Sequence, residues 1–357
     1  MTAPDTPTAP AVGAAPPVEE PDTTASKEGP AMAEQAPPAT AISVVICAYT
    51  EDRWNDLVEA VASVEAQSLA ARETIVVIDH NPEMLERVRR ELSGVVAVEN
   101  SEQRGLSGAR NGGIAVAKGE VIAFLDDDAL ANPDWLERLA EAYRDQRVIG
   151  VGGAVDALWL EGRPRAFPEE FDWIVGCTYR GLPEVTSPVR NPIGANMSFR
   201  ADVFERVGTF TSGIGRVGTR PVGCEETEFG IRATRGRPEE IVLYEPRARV
   251  RHRVPGERGG VRYFRTRCYS EGLSKALVAR CAGAGDALAS EWTYTLRTLP
   301  LGVLRGLGRA LRGDIGGLGR AAAIVAGLAI TTVGYGVGVV RSRDFERTAP
   351  PAPLMGH

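Results

Sequence analysis

Val121-Ile122-Ala123-Phe124-Leu125-Asp126-Asp127-Asp128, five apolar residues running into three consecutive carboxylates, decides how this chain folds. The run follows a Gly119-Glu120 break and is too short for a helix, so it reads as a strand buried on both faces of a mainly parallel sheet. Ligand crevices in open α/β sheets lie outside the carboxyl ends of the strands, which marks the acidic tip as a site. Alternate side chains share a face, so Asp126 and Asp128 point one way and Asp127 the other. Like charges about 4 Å apart repel by roughly 1 kcal/mol in water and about 4 kcal/mol at an effective dielectric of about 20, so three ionised carboxylates demand a cation. Oxygen ligands at a strand end suit Mg²⁺ or Mn²⁺. The competing reading is an acidic turn capping a helix that starts at Asn132-Pro133.

Upstream, apolar runs and helical spacings alternate. Ile42 to Ala48 is a first strand, Trp54 to Gln67 a helix, Glu73 to Asp79 a second strand again ending in a carboxylate, Pro82 to Leu92 a helix, and Val95 to Val98 a short strand. Arg104-Gly105-Leu106-Ser107-Gly108-Ala109-Arg110-Asn111-Gly112-Gly113 then leads into a helix through Lys118. Its glycines do not form GxGxxG and it precedes the fourth strand, so it is no dinucleotide fingerprint. A helix N-terminus bearing Arg104 and Arg110 can hold a diphosphate, or can simply pack closely through its glycines. The alternation predicts an open, mostly parallel α/β sheet with right-handed crossovers.

Downstream, a helix over Pro133 to Arg144 and a strand over Val148 to Val155 precede a Pro/Gly-rich, aromatic-bearing segment, 156–192, which reads as a long functional loop. Ile193 to Phe199 is extended, a helix follows from Ala201, and Gly213 to Gly223 is a glycine-rich loop able to close over a ligand. A second acidic cluster, Glu225-Glu226-Thr227-Glu228, comes next. Acidic residues suit the first turn of any helix, but a second carboxylate pair after a glycine-rich loop also fits a general base working beside a metal. His252 lies between Arg251 and Arg253, where a histidine beside a diphosphate site would be useful.

The chain has 357 residues, 43% of them hydrophobic and 25% charged, with a net charge of -6. It carries no basic, aromatic-interleaved tract, so nucleic acid is not an expected partner. Five scattered cysteines without CxxC spacing point to a reducing compartment rather than a disulfide scaffold or zinc site. Residues 1–40, rich in Pro, Ala and Thr, are expected to be a disordered tail, as are residues 346–357, and no signal peptide is expected. A catalytic domain over 41–255 is then followed by basic and apolar helices over 256–345. Tyr263 to Val278 and Leu288 to Leu311 read as arginine-bearing helices suited to a membrane surface. Ala321 to Val340 is uncharged and long enough to span a bilayer, though its glycines weaken insertion.

The ordered set Ser43-Val44-Val45-Ile46-Cys47-Ala48-Tyr49-Thr50, Val77-Ile78-Asp79, Arg104 to Asn111, Phe124-Leu125-Asp126-Asp127-Asp128 and Gly223 to Glu228 resembles the family 2 glycosyltransferases, inverting enzymes of the GT-A fold that use nucleotide-diphosphate sugars. The resemblance covers about residues 42–255. It implies that Asp79, near Tyr49 and Glu51, accepts from the nucleotide base, and that Arg104, Gly105, Arg110 and Asn111 lie along the nucleotide and sugar. It implies a DxD motif with Asp128 as direct ligand of Mn²⁺ or Mg²⁺, Asp126 nearer the ribose, Asp127 beside them, and His252 completing the metal or diphosphate site. The family's base is usually the Asp of a Glu-Asp pair; here the pair is Glu225-Glu226, which points to Glu226. The QxxRW motif of processive members is absent, implying one sugar per encounter. The chain looks most like the branch that passes a sugar, in some members a hexuronic acid, to a polyprenyl- or dolichol-linked acceptor at the cytoplasmic face of the cell membrane. The alternatives are a nucleotidyltransferase on the same sheet, a non-catalytic membrane-associated binding module, and a prenyl-diphosphate enzyme, whose Asp-rich motifs sit on helices instead.

Overall fold

The computed structural model describes residues 40–212, 223–282 and 292–348. Expectations for the N-terminal tail, for the glycine-rich loop up to position 222, for the helix start at 288–291 and for residues 349–357 lie outside that set.

Nine strands among the described residues form one sheet: β1 (Ile42–Ala48), β2 (Glu73–Ile78), β3 (Val95–Glu99), β4 (Val121–Asp126), β5 (Ala129–Ala131), β6 (Val148–Trp159), β7 (Ser187–Val189), β8 (Asn196–Arg200) and β9 (Ile241–Val254). Their order is β3-β2-β1-β4-β8-β6-β9-β5, with β7 also on β9. β1 pairs in parallel with β2 and β4, β2 with β3, and β6 with β9; β8 runs antiparallel to both β4 and β6. The long ladders are thus parallel, and β8 reverses the sheet at its middle.

Burial explains why these strands lack polar alternation. Val44 and Ile46 of β1 pack on one side of the sheet with Trp54 and Leu57, while Val45 packs on the other with Ile75, Val77 and Phe124. Both faces are covered, so every position of such a strand must be apolar. The covering helices are α1 (Trp54–Glu65), α2 (Pro82–Glu91), α3 (Leu106–Val116), α4 (Trp135–Ala142), α5 (Ala201–Val207) and α6 (Glu225–Thr234). α2 starts where the sequence says it should: Asn81 Oδ1 accepts from Met84 N at 3.1 Å, with Pro82 in the first turn. α7 (Val261–Ala282), α8 (Leu299–Leu311) and α9 (Gly316–Thr348) follow the sheet. Tyr294–Thr298 forms a π-turn ahead of α8, so the helix expected from 288 is not a single regular one.

The segment expected to be a long loop is more ordered than its composition suggests. β6 continues to Trp159, Glu169–Val175 forms a 3₁₀ turn, and β7 adds an edge strand. Phe167 and Phe171 of this segment join the main core together with Phe264 of α7. Its aromatic residues are the anchors, a packing role that proline and glycine content conceals.

A close approach of backbones is needed where β8, β6 and β9 meet, and two residues supply it. Asn196 Nδ2 donates to Ala154 O at 2.9 Å and Ala248 O at 2.8 Å, while its Oδ1 accepts from Trp135 Nε1 at 2.8 Å. At Gly153, next to the register shift between β6 and β9, a Cβ would sit 1.9 Å from Ala248 O. Only glycine lets the backbones approach this closely.

Candidate active site

The acidic tip of β4 does not continue as a strand. The chain turns after Asp126 and re-enters the sheet as β5, which pairs antiparallel with β9 so that Ala129 lies opposite His252. Arg253 N donates to Asp128 O at 2.9 Å. This pairing carries His252 across the chain to Asp128, with His252 Nε2 3.0 Å from Asp128 Oδ1. Ligand atoms of Asp126, Asp128 and His252 all lie within 4.8 Å of one another. Two carboxylates and an imidazole form a donor set that suits Mn²⁺ or Mg²⁺, the former more readily because of the nitrogen. The alternative of an acidic turn that merely caps a helix fails, because the N-cap position of α4 makes no side-chain capping bond.

Asp127 separates from this trio as the alternation implied, but it is not open to a nucleotide. It is buried, and Arg53 Nη1 donates both to Asp127 Oδ1 at 2.7 Å and to Asp128 Oδ2 at 2.9 Å. One guanidinium serves both because the chain turns here. Arg258 adds a second cation 3.4 Å from Asp128 Oδ2. Burial pushes the Asp127 carboxyl well above its ordinary range, and the charge of Asp128 adds to the effect. Burial acts on Asp128 in the same sense, but His252 facing it, together with Arg53, holds that carboxyl well below the usual range. Burial opposes the charge on His252, yet Asp128 raises its basicity well above that of a free imidazole. Behind the ring, Cys177 Sγ lies 3.7 Å from His252 Nδ1.

The second acidic cluster begins α6, which places Glu225 and Glu226 in its first turn. Arg110 joins the two clusters. Its Nη1 donates to Glu225 Oε1 at 2.7 Å, its Nη2 donates to Gly194 O at 3.1 Å, and Nη2 stands 3.8 Å from Asp126 Oδ1. Arg110 is only 2% exposed, so the side chain expected along the nucleotide and sugar is also a strut between the two acidic clusters. Asn111 is likewise turned inward: it donates to Phe210 O and accepts from Phe210 N, which leaves its amide occupied by the fold. Glu225 is buried against Arg110 with Oε2 unpartnered, whereas Glu226 is partly open. Burial and the neighbouring charge of Glu225 push the Glu226 carboxyl up to about 8.

A third group lies at the ends of β1 and β2. Asp79 Oδ2 accepts from Gly105 N at 3.0 Å, and its Oδ1 accepts from Asn100 Nδ2 at 2.6 Å and faces His80 Nδ1 at 2.9 Å. Gly105 holds φ at 131°, a conformation that aims its N–H at Asp79 and starts α3. Arg104 donates to His80 O at 2.9 Å. Tyr49 is exposed beside Arg53, whose guanidinium carbon lies 5.1 Å from the ring centre. Glu51 faces away from this group's hydrogen bonds and is paired with Arg87 of α2 at 2.8 Å.

Sequence reading missed Arg53, Arg258 and Cys177. A single arginine in a turn and a single thiol carry no spacing signal, and their roles arise only where β1, β4 and β9 converge.

The sequence profile "Glycosyl transferase family 2" matches residues 43–208. The chain is 38% identical over 241 residues to the glucosyl-dolichyl phosphate glucuronosyltransferase of Haloferax volcanii, covering 66% of this chain and 77% of that one. It is 27% identical over 267 residues to the succinoglycan biosynthesis protein ExoM of Rhizobium meliloti, covering 71% of this chain and 80% of that one. Among solved structures it is similar to the mannosyltransferase PcManGT of Pyrobaculum calidifontis in complex with GDP-Man and Mn²⁺, with TM-score 0.50 and 17% identity over 83% of this chain and 87% of that chain.

Proposed function

The chain belongs to glycosyl transferase family 2 and has the GT-A fold, and from that premise we propose that it moves one sugar from a nucleoside-diphosphate sugar to a hydroxyl of a lipid-linked glycan, inverting the anomeric carbon. The similarity to a glucosyl-dolichyl phosphate glucuronosyltransferase supports a hexuronic acid as the transferred sugar and a polyprenyl- or dolichyl-linked sugar as acceptor; in this reading the donor is the UDP-sugar and the reaction takes place at the cytoplasmic face of the cell membrane.

The observation that carries this reading is the bridge made by Arg110 between Asp126 and Glu225. It puts the metal-ligand trio and the acidic pair at one place, although they lie about a hundred residues apart in sequence. A divalent cation bound by Asp126, Asp128 and His252 would supply positive charge against the departing diphosphate. Arg53 and Arg258 hold Asp128 in position for that role. Asp79, fixed by Gly105 N and Asn100, presents its carboxylate for the nucleotide base.

Glu225 and Glu226 divide the remaining work. Glu225 is committed to Arg110 and keeps the first turn of α6 in place; Glu226 is partly open and accepts the proton of the attacking hydroxyl. As the new bond to the anomeric carbon forms, the bond to the diphosphate oxygen breaks on the opposite face. One displacement of this kind inverts the configuration. A carboxyl raised to about 8 is a stronger base than an ordinary glutamate, which is what abstraction from an alcohol requires.

The test is direct. Purified protein with Mn²⁺, UDP-glucuronate and a short-chain polyprenyl-linked glucose should release UDP and yield a product whose anomeric configuration, read by NMR, is opposite to the donor's. Pyrophosphate released from UTP and glucuronate 1-phosphate in a parallel reaction would instead establish a nucleotidyltransferase. Absence of turnover with any nucleotide sugar and acceptor of this class would leave the binding-module reading.

A further inference from the structure

We infer that α8 and α9 form an in-plane docking face for an anionic lipid bilayer, and that α9, although apolar and long enough to cross a membrane, does not cross it. The inference rests on the lipid-linked acceptor proposed above and says how the chain meets it.

Gly316–Val340 passes the length and hydropathy requirements of a membrane span. Its packing is incompatible with spanning. α9 lies along α7 through glycines that bring the two backbones together: a Cβ on Gly334 would sit 2.2 Å from Tyr269 O, and one on Gly338 would sit 2.6 Å from the Ala276 Cβ. The same stretch of α7 carries the Glu271 and Lys275 ion pair at 3.4 Å, and Arg262, Arg265 and Arg280 are exposed on its turns. A spanning α9 would draw these charges into hydrocarbon, where each is strongly disfavoured. α7 is also fastened to the catalytic region. Gly223 N donates to Ser274 Oγ at 3.2 Å, and Val278 packs with Ile231 of α6. Insertion of α9 would therefore pull the helix bearing Glu226 toward the bilayer core.

The outward faces of α8 and α9 tell what covers them. Leu301, Leu304 and Leu311 of α8 are 45%, 63% and 89% exposed, and Val325, Val333 and Val340 of α9 are 58%, 60% and 60% exposed. Spacings of three, seven and eight residues keep each set on one helix face. Residues 292–320 carry five arginines and one aspartate, in a chain whose net charge is -6; Arg305 is paired with Glu170 and Arg320 with Asp314. Arg297, Arg309 and Arg312 are exposed. A second copy of the chain would bring the same arginines against them across a two-fold interface. An anionic lipid surface complements them and accepts the leucines at the same time.

The face is anchored to the site as well as to the helices. Arg305 of α8 pairs with buried Glu170 at 2.5 Å, and Tyr294 donates to Glu170 O. Glu170 lies in the first turn of the 3₁₀ segment that leads to Cys177, the residue behind His252. Docking through α8 thus fixes the height of the metal-ligand site above the lipid surface.

The full-length protein should co-sediment with phosphatidylcholine vesicles containing phosphatidylglycerol, bind vesicles of phosphatidylcholine alone much less, and be released by alkaline carbonate. Arg297→Gln and Arg312→Gln should each weaken partitioning roughly fivefold, and the double variant Leu304→Glu/Leu311→Glu should abolish it. All of these side chains are exposed, so sugar transfer to a short, water-soluble acceptor should be unchanged. Resistance to carbonate, with protease protection of the C-terminus, would overturn the in-plane reading in favour of a span. Vesicle binding that ignores both lipid charge and these substitutions would also overturn it, as would a Leu304-dependent dimer in sedimentation velocity. Failure of transfer by every form while vesicle binding persists would sustain the docking face and refute the transferase reading alone.

Discussion

Glu225 and Glu226 are adjacent carboxyls with different surroundings. Glu225 has a guanidinium 2.7 Å away, whereas Glu226 has burial and a like charge raising it to about 8. Between the ordinary carboxyl value of 4.5 and about 8 the folded protein keeps a proton that the unfolded chain has lost. Stability is therefore fully supported below 4.5 and declines as pH rises through that window, levelling above about 8. Glu226→Gln should flatten this decline in thermal melts. The same variant should cut transfer by roughly 10²–10⁴-fold and erase the rise of rate with pH toward about 8, while leaving nucleotide binding intact. A variant with full turnover and an unchanged pH profile would assign the base elsewhere. At this scale the two acidic clusters were legible because consecutive carboxylates repel one another and so mark a place where a cation or a proton is needed. Arg110 and Asn111 were legible as candidates but not in their roles, since pattern cannot say whether a polar side chain turns inward.

The parallel half of the sheet followed from apolar runs alone, because strands covered on both faces need no polar residue. The antiparallel β8 and the register shift in β9 did not. They depend on Asn196 reaching three partners and on the backbone of Gly153 lying against Ala248. Gly153→Ala forces a methyl group to within 1.9 Å of a carbonyl oxygen if nothing moves. The expected cost is at least about 1–3 kcal/mol, read as a lower urea midpoint. The shift should also reach His252, which lies on β9 beyond the irregularity, and weaken Mn²⁺ binding measured without donor sugar. Stability equal to the parent would show that the strands can separate locally without disturbing the site.

The C-terminal helices read from sequence as an appendage to a catalytic domain, and tertiary structure makes them part of it. Leu299 and Ile324 lie in the same core as Phe171 and Phe264, and Arg305 neutralises a buried glutamate. Removing residues from 283 onward should uncover the rings of Phe171 and Phe264, against which Gly327 of α9 packs, a cost of about 3–5 kcal/mol for two large apolar side chains. At about 2–4 °C per kcal/mol for a domain of this size class, the melting temperature should fall by roughly 10 °C, with aggregation visible in light scattering. A soluble truncated monomer melting with the parent would show that the helices are dispensable to the fold. Membrane release by truncation is thus a poor test of docking, and exposed-face substitutions on α8 are the better one.

What the sequence alone determined is chemistry that local pattern can carry: buried strands, a helix starting at Pro82, two acidic clusters and an apolar tail. Each depends on residues within a turn or two of one another. Tertiary structure decided which charges meet. β5 pairing with β9 gives Asp128 its histidine, the turn after β1 gives it Arg53, and Arg110 ties the tip of β4 to the start of α6. It also laid the apolar tail along α7, with the backbones of Gly334 and Tyr269 close together. The reason in every case is the same: these partners are brought together by sheet register and helix packing over long sequence separations, and no short stretch of chain encodes such a distance.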